Sequence, residues 1–239
     1  EHFVKHISSK GSPHKSPYSY QPAGRLRLAY QNTAQIASTH RQLELRTGVT
    51  TSTYTLQDGS KITQEVFASA KWDCLVVQIS SDKPLDLVTW MDGARIEGED
   101  CVKDGQGSGK LGTKFQNRIR LQGATASADG AKLVMKGTQQ ATILMTVATN
   151  FNRANCAAPL ADGWQQKTTE ILDRAKDQTV AQLKSNAISD HARFFDRVQF
   201  DIGKTADSIM KLPTKARLAL LKKEKSAAEG SQGKPCSDP

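Results

Sequence analysis

The sequence predicts a mainly β protein, an antiparallel sandwich followed by a few linker helices. Up to Phe151 the chain divides into about ten short segments that either alternate apolar with polar residues or run apolar for several positions. Turn sequences separate them, among them Gln57-Asp58-Gly59-Ser60, Asp92-Gly93 and Ala128-Asp129-Gly130. From Trp164 onward the apolar residues take up a helical spacing. Strands first and helices after imply segregated layers.

The predicted elements follow in chain order. Glu1 to Pro17 mixes Ser, Lys and His without a period and reads as a flexible segment. Leu26, Leu28 and Tyr30 alternate with Arg25, Arg27 and Ala29, the pattern of a strand with one wet face, and Leu43 and Leu45 repeat it. Thr50 to Leu56 is rich in residues that fit a pleated surface. The stretch from Lys61 to Ile79 joins a half-buried strand, Ile62 to Phe67, to an apolar run, Cys74 to Ile79, that needs cover on both faces. This hairpin is the expected centre of the sheet.

A turn is expected around Asp82, Lys83 and Pro84, then a strand from Leu85 to Met91. Gly98 to Gly112 holds five glycines among polar residues and reads as a mobile hairpin loop. Its G-Q-G-S-G-K lacks the spacing and the flanking strand and helix of a phosphate loop. Phe115 to Gln122 alternates Phe115, Asn117, Ile119 and Leu121 against Gln116, Arg118 and Arg120; Lys132 to Lys136 and Ala141 to Thr149 are further strands. One helix is expected over Trp164 to Ala187 and a short one over Asp190 to Arg197. Val198 to Ile202 is extended, and a last helix starts at Leu212-Pro213 with Thr214 as cap. The predicted organisation is a flexible segment 1–17, a β-sandwich domain 18–160 lacking its first strands, a helical linker region 161–225 and a flexible tail 226–239.

Composition bounds the function. Hydrophobic residues at 37% and aromatics at 6% of 239 residues are on the low side for a self-sufficient core. The net charge of +9 resides at the ends: residues 1–30 carry 5 basic against 1 acidic side chain and residues 211–239 carry 7 against 3. A nucleic-acid surface gathers basic residues on a folded face with aromatics for stacking. Tails such as Lys222 to Lys225 have no interleaved aromatics, so no nucleic-acid partner is expected. Cys74, Cys101, Cys156 and Cys236 form no C-x-x-C pair and the five histidines do not cluster near them, so no metal site and no cofactor is predicted. Cys74 reads as a core residue and the other three as loop or tail thiols, with a Cys101–Cys156 disulfide left open. No segment is apolar over the length of a membrane span; no leader is visible at Glu1, and since the chain does not begin with Met this leaves the destination open.

Candidate chemistry is sparse. Glu65, Asp92 and Asp190 are carboxylates in suggestive places, but strand alternation sets Glu65 on the wet face and each reads more simply as a surface charge. His191 reads as a hydrogen-bonded junction residue, and Arg197 and Arg217 as ion-pair partners at the same junction. Trp90 and the Asn150 to Arg153 loop are the places where an indole or an amide would meet a sugar, against the plainer reading of Trp90 as buried. No catalytic residue is assigned, and the substrate-binding residues are unknown at this level.

Several short motifs carry a family resemblance. Tyr20-Gln21-Pro22-Ala23-Gly24 precedes the first strand; Glu65-Val66-Phe67-Ala68-Ser69 leads into Leu75-Val76-Val77-Gln78-Ile79; Ala148-Thr149-Asn150-Phe151 follows. In order and spacing these resemble the N-terminal β domain of glycoside hydrolase family 95. H-x-x-F-F-D-R-V at His191 to Val198 and L-P-T-x-x-R-L at Leu212 to Leu218 are similar to that family's linker. The resemblance implies a super-β-sandwich, linker helices and an (α/α)6 barrel in cis. The barrel holds the groups that invert terminal α-L-fucosyl or related L-galactosyl linkages in glycans, and none of its positions lies within these 239 residues. It also implies a secreted or periplasmic setting and a glycan substrate reached through the parent enzyme. The P-I-G-N-G-x-L-G-type motif and L-N-E segment of the family do not precede Glu1, so unpaired sheet edges are expected. A free-standing carbohydrate-binding module is the alternative, and polyanion binding through the tails a third.

Overall fold

The computed structural model describes residues 22–107, 112–122, 126–155, 158–201 and 203–228. Ten strands form antiparallel ladders: β1 (Leu26–Gln31), β2 (Ile36–Glu44), β3 (Val49–Leu56), β4 (Lys61–Ser69), β5 (Cys74–Met91), β6 (Arg95–Glu97), β7 (Asp100–Gln106), β8 (Lys114–Gln122), β9 (Ala126–Asp129) and β10 (Lys132–Thr149). The main path runs β2-β3-β4-β5-β10-β8-β7-β6, with β1 paired to β5 and β9 to β10. β5 and β10 are each 18 residues long and serve two layers. Their Cys74–Ser81 and Gln140–Thr149 parts lie in the large layer, and their Leu85–Met91 and Lys132–Thr138 parts join β1 and β9 in a small one. The mainly β, antiparallel sandwich class read from the sequence is the one observed.

The turn expected at Asp82 to Pro84 is absent, because the backbone stays extended there. Proline donates no N–H and survives in a sheet only where no ladder bond is required. The β4 ladder ends at Ser81, the β1 ladder begins at Asp86, and β10 is irregular between Thr138 and Gln140. Pro84 falls in that gap. The same irregularity joins the two segments predicted separately at Lys132 to Lys136 and Ala141 to Thr149 into one strand.

The Gly98 to Gly112 loop is also corrected, since Asp100–Gln106 is strand β7, with Cys101 and Val102 fully buried. Its glycines carry two different duties. Gly98 sits at φ +61 in the β6–β7 turn, whereas Gly105 faces Phe115, whose ring would lie 2.2 Å from a Cβ at that position. Residues 108–111 of that segment lie outside the described residues.

One core fills the space between the layers: Ile62, Val77, Ile79, Leu87, Met91, Ile119, Leu133, Met135 and Ile143. Residue alternation sends the intervening side chains of the large layer, Phe67, Cys74, Val76 and Leu144, to its other face, where two helices meet them. These are α1 (Gln166–Lys176), which contributes Ile171, Leu172 and Ala175, and α2 (Val180–Phe195), which contributes Leu183 and Ala187. The single helix predicted over Trp164 to Ala187 is therefore two, and the second runs on through the separate helix expected at Asp190. The break is written in Thr179-Val180-Ala181-Gln182, a reciprocal capping box. The Gln182 N–H donates to Thr179 Oγ1 at 3.2 Å and the Thr179 N–H to Gln182 Oε1 at 2.9 Å.

β2 departs from expectation as well, since all nine of its residues, Leu43 among them, are exposed, as is Leu45 just beyond it. It is an edge strand, paired among the described residues only with β3. Asp196 begins a second compact unit with α3 (Asp207–Met210) and α4 (Thr214–Ala228). The extended segment expected from Val198 pairs with no strand over residues 198–201, where Val198 and Phe200 stand exposed. Pro213, not Thr214, precedes the first turn of α4, and its carbonyl accepts from the Ala216 and Arg217 N–H groups.

Candidate functional site

Gln116, Arg118 and Arg120 alternate with the core residues of β8 and in the sequence look like a wet face. α1 covers that face, and both guanidinium groups are buried. Charge taken out of water must be paired. Asp100, opposite Arg120 in the β7–β8 register, supplies the pair. Its two oxygens accept from Arg120 Nε at 2.6 Å, Arg120 Nη2 at 2.9 Å and Arg118 Nη1 at 3.0 Å. Arg118 also donates to Thr168 Oγ1 on α1 at 3.1 Å and to Glu97 at 2.8 Å, and Arg120 to Asp173 on α1 at 2.7 Å. The cluster thus ties the β6–β8 end of the large layer to α1.

Burial on its own would lower the Arg120 pKa, but hydrogen bonds to Asp100 and Asp173 outweigh it and hold the group above its ordinary value. The hydrogen bond from Arg120, against a smaller burial effect, lowers Asp173 below the usual carboxylate range. An aspartate that already accepts three bonds from two guanidiniums is a poor general acid or base. The cluster is a structural joint, and sequence alternation alone missed it.

The carboxylates singled out from the sequence are each ion-paired. Glu65 lies under α2, not on a wet face, with Lys184 Nζ at 2.8 and 2.9 Å from its two oxygens. Asp92 pairs with Arg27 at 2.8 Å, which lowers its pKa, and Asp190 with Arg193 at 3.1 Å. These carboxylates are held by different elements with different partners. His191 donates through Nε2 to the Leu45 carbonyl at 2.8 Å and stacks on Phe195. Gly48, at φ +68, makes room for it, since a Cβ there would stand 3.2 Å from the imidazole. His191 therefore pins the β2–β3 turn to α2. Arg197 and Arg217 lie in the second unit, Arg197 exposed.

Trp90 is half-buried on the outer face of the small layer, with Lys132 Nζ 4.8 Å from its ring centroid. Asn150 turns inward to the loop, accepting the Lys114 N–H at 2.8 Å, and Asn152 accepts the Ala154 N–H at 3.0 Å. These amides shape the backbone. What the loop offers outward is Phe151 and Arg153, which form one wall of a groove of about 970 Å³. Trp164 and the exposed edge of α1 line the rest. Trp164 was read from the sequence only as a helix start; its place after Gly163, at φ +98, aims it into the groove wall.

Among the described residues no group of three or more His, Cys, Asp and Glu side chains could hold a metal ion, and no helix is long and apolar enough to cross a membrane. Cys101, expected in a loop, is a buried free thiol with Sγ 3.8 Å from the Ala131 carbonyl; Cys156 and Cys236 lie outside the described residues. Burial, then the charge of Asp73, pushes the Cys74 thiol up to about 11. Since the thiolate is the nucleophile, iodoacetamide at pH 8 is expected to leave Cys74 and Cys101 unmodified in the folded chain and to alkylate both in urea. Peptide mass spectrometry reads the difference.

The described residues thus form a sandwich with helices on one face, ion-paired clusters that join its elements, and an open groove. The chain belongs to the family described as glycosyl hydrolase family 65, N-terminal domain, whose model matches residues 4–154. Solved structures similar to it include a putative kojibiose phosphorylase from human microbiome (12% identity, TM-score 0.49, 72% of this chain and 27% of that one). A bacterial glucoamylase complexed with acarbose also matches (9% identity, TM-score 0.42, 71% and 31%). The chain thus spans about a third or less of the length of these two proteins. No curated protein matches it. The family match supports a glycoside hydrolase N-terminal domain and names neither family 95 nor fucose.

Proposed function

We propose that the chain is the non-catalytic N-terminal domain of an inverting α-L-fucosidase-like glycoside hydrolase, cleaving terminal α-L-fucosyl or related L-galactosyl residues with an (α/α)6 barrel in cis. The observation that carries the domain assignment is the family match over residues 4–154. The ordered motifs from Tyr20 to Phe151 and from His191 to Leu218 support the finer reading, family 95 and L-fucose. The ion-paired carboxylates agree with it, because an inverting enzyme needs one free acid and one free base about 6.5–9.5 Å apart. Glu65, Asp92 and Asp100 instead tie separate elements together, and Asp190 pairs with Arg193 one turn along its own helix.

The test is an assay on an aryl α-L-fucoside with two proteins, the 239-residue chain and the longer product of its gene. The longer product is expected to release fucose with inverted configuration, followed by proton NMR of the fresh anomer, while the chain alone is inactive. Hydrolysis by the chain alone would overturn the scaffold role. Phosphate-dependent release of a sugar phosphate, or action on glucosides only, would overturn the fucosidase reading while leaving the scaffold role intact.

A further inference from the structure

The groove beside α1 has a composition that neither the joints nor the core require. One wall is the outer edge of α1, where Glu170 and Arg174 stand one turn apart. The other is Phe151, Arg153 and Leu160, and Trp164 lies at the start of the helix. Phe151 is 49% exposed and Leu160 42%. Among the described residues the heads of Arg153, Glu170 and Arg174 make no ion pair, unlike Glu65, Asp92, Asp100 and Asp190. At about 970 Å³ the groove is at the upper end of the range for small-molecule sites. It follows α1 from Lys167 to Arg174, about 10 Å of helix axis, longer than a single sugar ring.

We propose that this groove binds a neutral oligosaccharide, as a second glycan site outside the catalytic domain; the inference rests on the glycoside hydrolase reading above. A pyranose presents an apolar C–H face that packs on an aromatic ring, here Trp164 or Phe151, and a rim of hydroxyls. Those hydroxyls donate to a carboxylate and accept from a guanidinium, and Glu170 with Arg153 and Arg174 supplies both. The charges along the groove are of mixed sign, Arg153, Lys167 and Arg174 against Glu170 and Asp173, which suits a ligand without net charge better than a polyanion.

Isothermal titration of the 239-residue chain with 2′-fucosyllactose and with maltotriose tests this. Saturable binding to at least one is expected, weakened about tenfold or more in Phe151→Ala and in Glu170→Ala. Both side chains are exposed, so thermal melts matching the parent chain are expected to show intact folds. No binding to either sugar, or undiminished binding in both variants, would overturn the proposal. Binding to maltotriose alone keeps the groove and counts against fucose specificity. Fucoside hydrolysis by the longer enzyme with an empty groove leaves the functional reading standing and sinks this one. Protection of the groove amides from hydrogen exchange in the longer enzyme without sugar would assign it to an interdomain contact and overturn it likewise.

Discussion

Asp100→Ala is expected to cost about 3–5 kcal/mol of folding stability, the usual penalty for removing one partner of a buried ion pair. The side chain is 3% exposed, and Arg118 and Arg120 are 8% and 6% exposed. Without Asp100 two guanidiniums remain in the interior of the molecule, with only the more exposed carboxylates Glu97, Glu99 and Asp173 near them. Urea unfolding followed by circular dichroism measures the loss, and a cost below about 1 kcal/mol would show that water reaches the cluster. Replacing Asp100, Arg118 and Arg120 together by apolar residues is expected to cost far less than the single change, because no charge is left unpaired. Asp173→Asn is the mild companion. Its partner Arg120 lowers its folded pKa, so its contribution is complete above the ordinary carboxylate value and disappears as the pH falls through the lowered one. Asp173 is half exposed, so the effect is that of a screened pair, about 0–1 kcal/mol.

Leu172→Ala is expected to cost about 2–5 kcal/mol, the range for truncating a fully buried leucine. Leu172 is 0% exposed, between Ile171, Ala175 and the Val76 and Leu144 side chains of the sheet. The loss should be local as well as global. α1 is held by this apolar contact and by the Arg118 and Arg120 bonds, so native-state hydrogen exchange is expected to speed up first in Gln166–Lys176 and last in β5 and β10. Uniform loss of protection across strands and helix would mean that α1 and the sandwich form a single cooperative unit.

The strands of the sandwich are legible because apolar and polar side chains alternate along them, as at Leu26 to Tyr30 and Phe115 to Gln122. The class of fold followed from that and from the change of period at Trp164. Errors arose where one residue type serves two purposes. Gly105 makes room for a ring but reads as a loop glycine, and Pro84 occupies a gap in two ladders but reads as a turn. The buried cluster was invisible for a different reason: Arg118 and Arg120 alternate as wet residues do, and only the covering helix makes their face an interior. The capping box at Thr179 lies within a continuous apolar stripe, which hides the helix break from periodicity alone. Of the groove, the sequence points to the Asn150 to Arg153 loop, but its Asn150 amide is turned to the Lys114 N–H, and the helix wall depends on the placement of α1.

β5 and β10 pass through both layers, so a mistake in their alignment cannot be confined. A slip of one residue reverses which side chains face inward along the whole ladder. Here Val77, Ile79 and Ile143 face the shared interior from the large layer, and Leu87, Met91, Leu133 and Met135 face it from the small one. The same slip would turn Val76 and Leu144 away from the helices. A misaligned pair of central strands therefore forfeits the interior on both sides of the large layer at once. That double penalty is a form of proofreading built into the backbone, and the pairing it guards, Leu75 with Met145, closes a long loop at a cost in chain entropy.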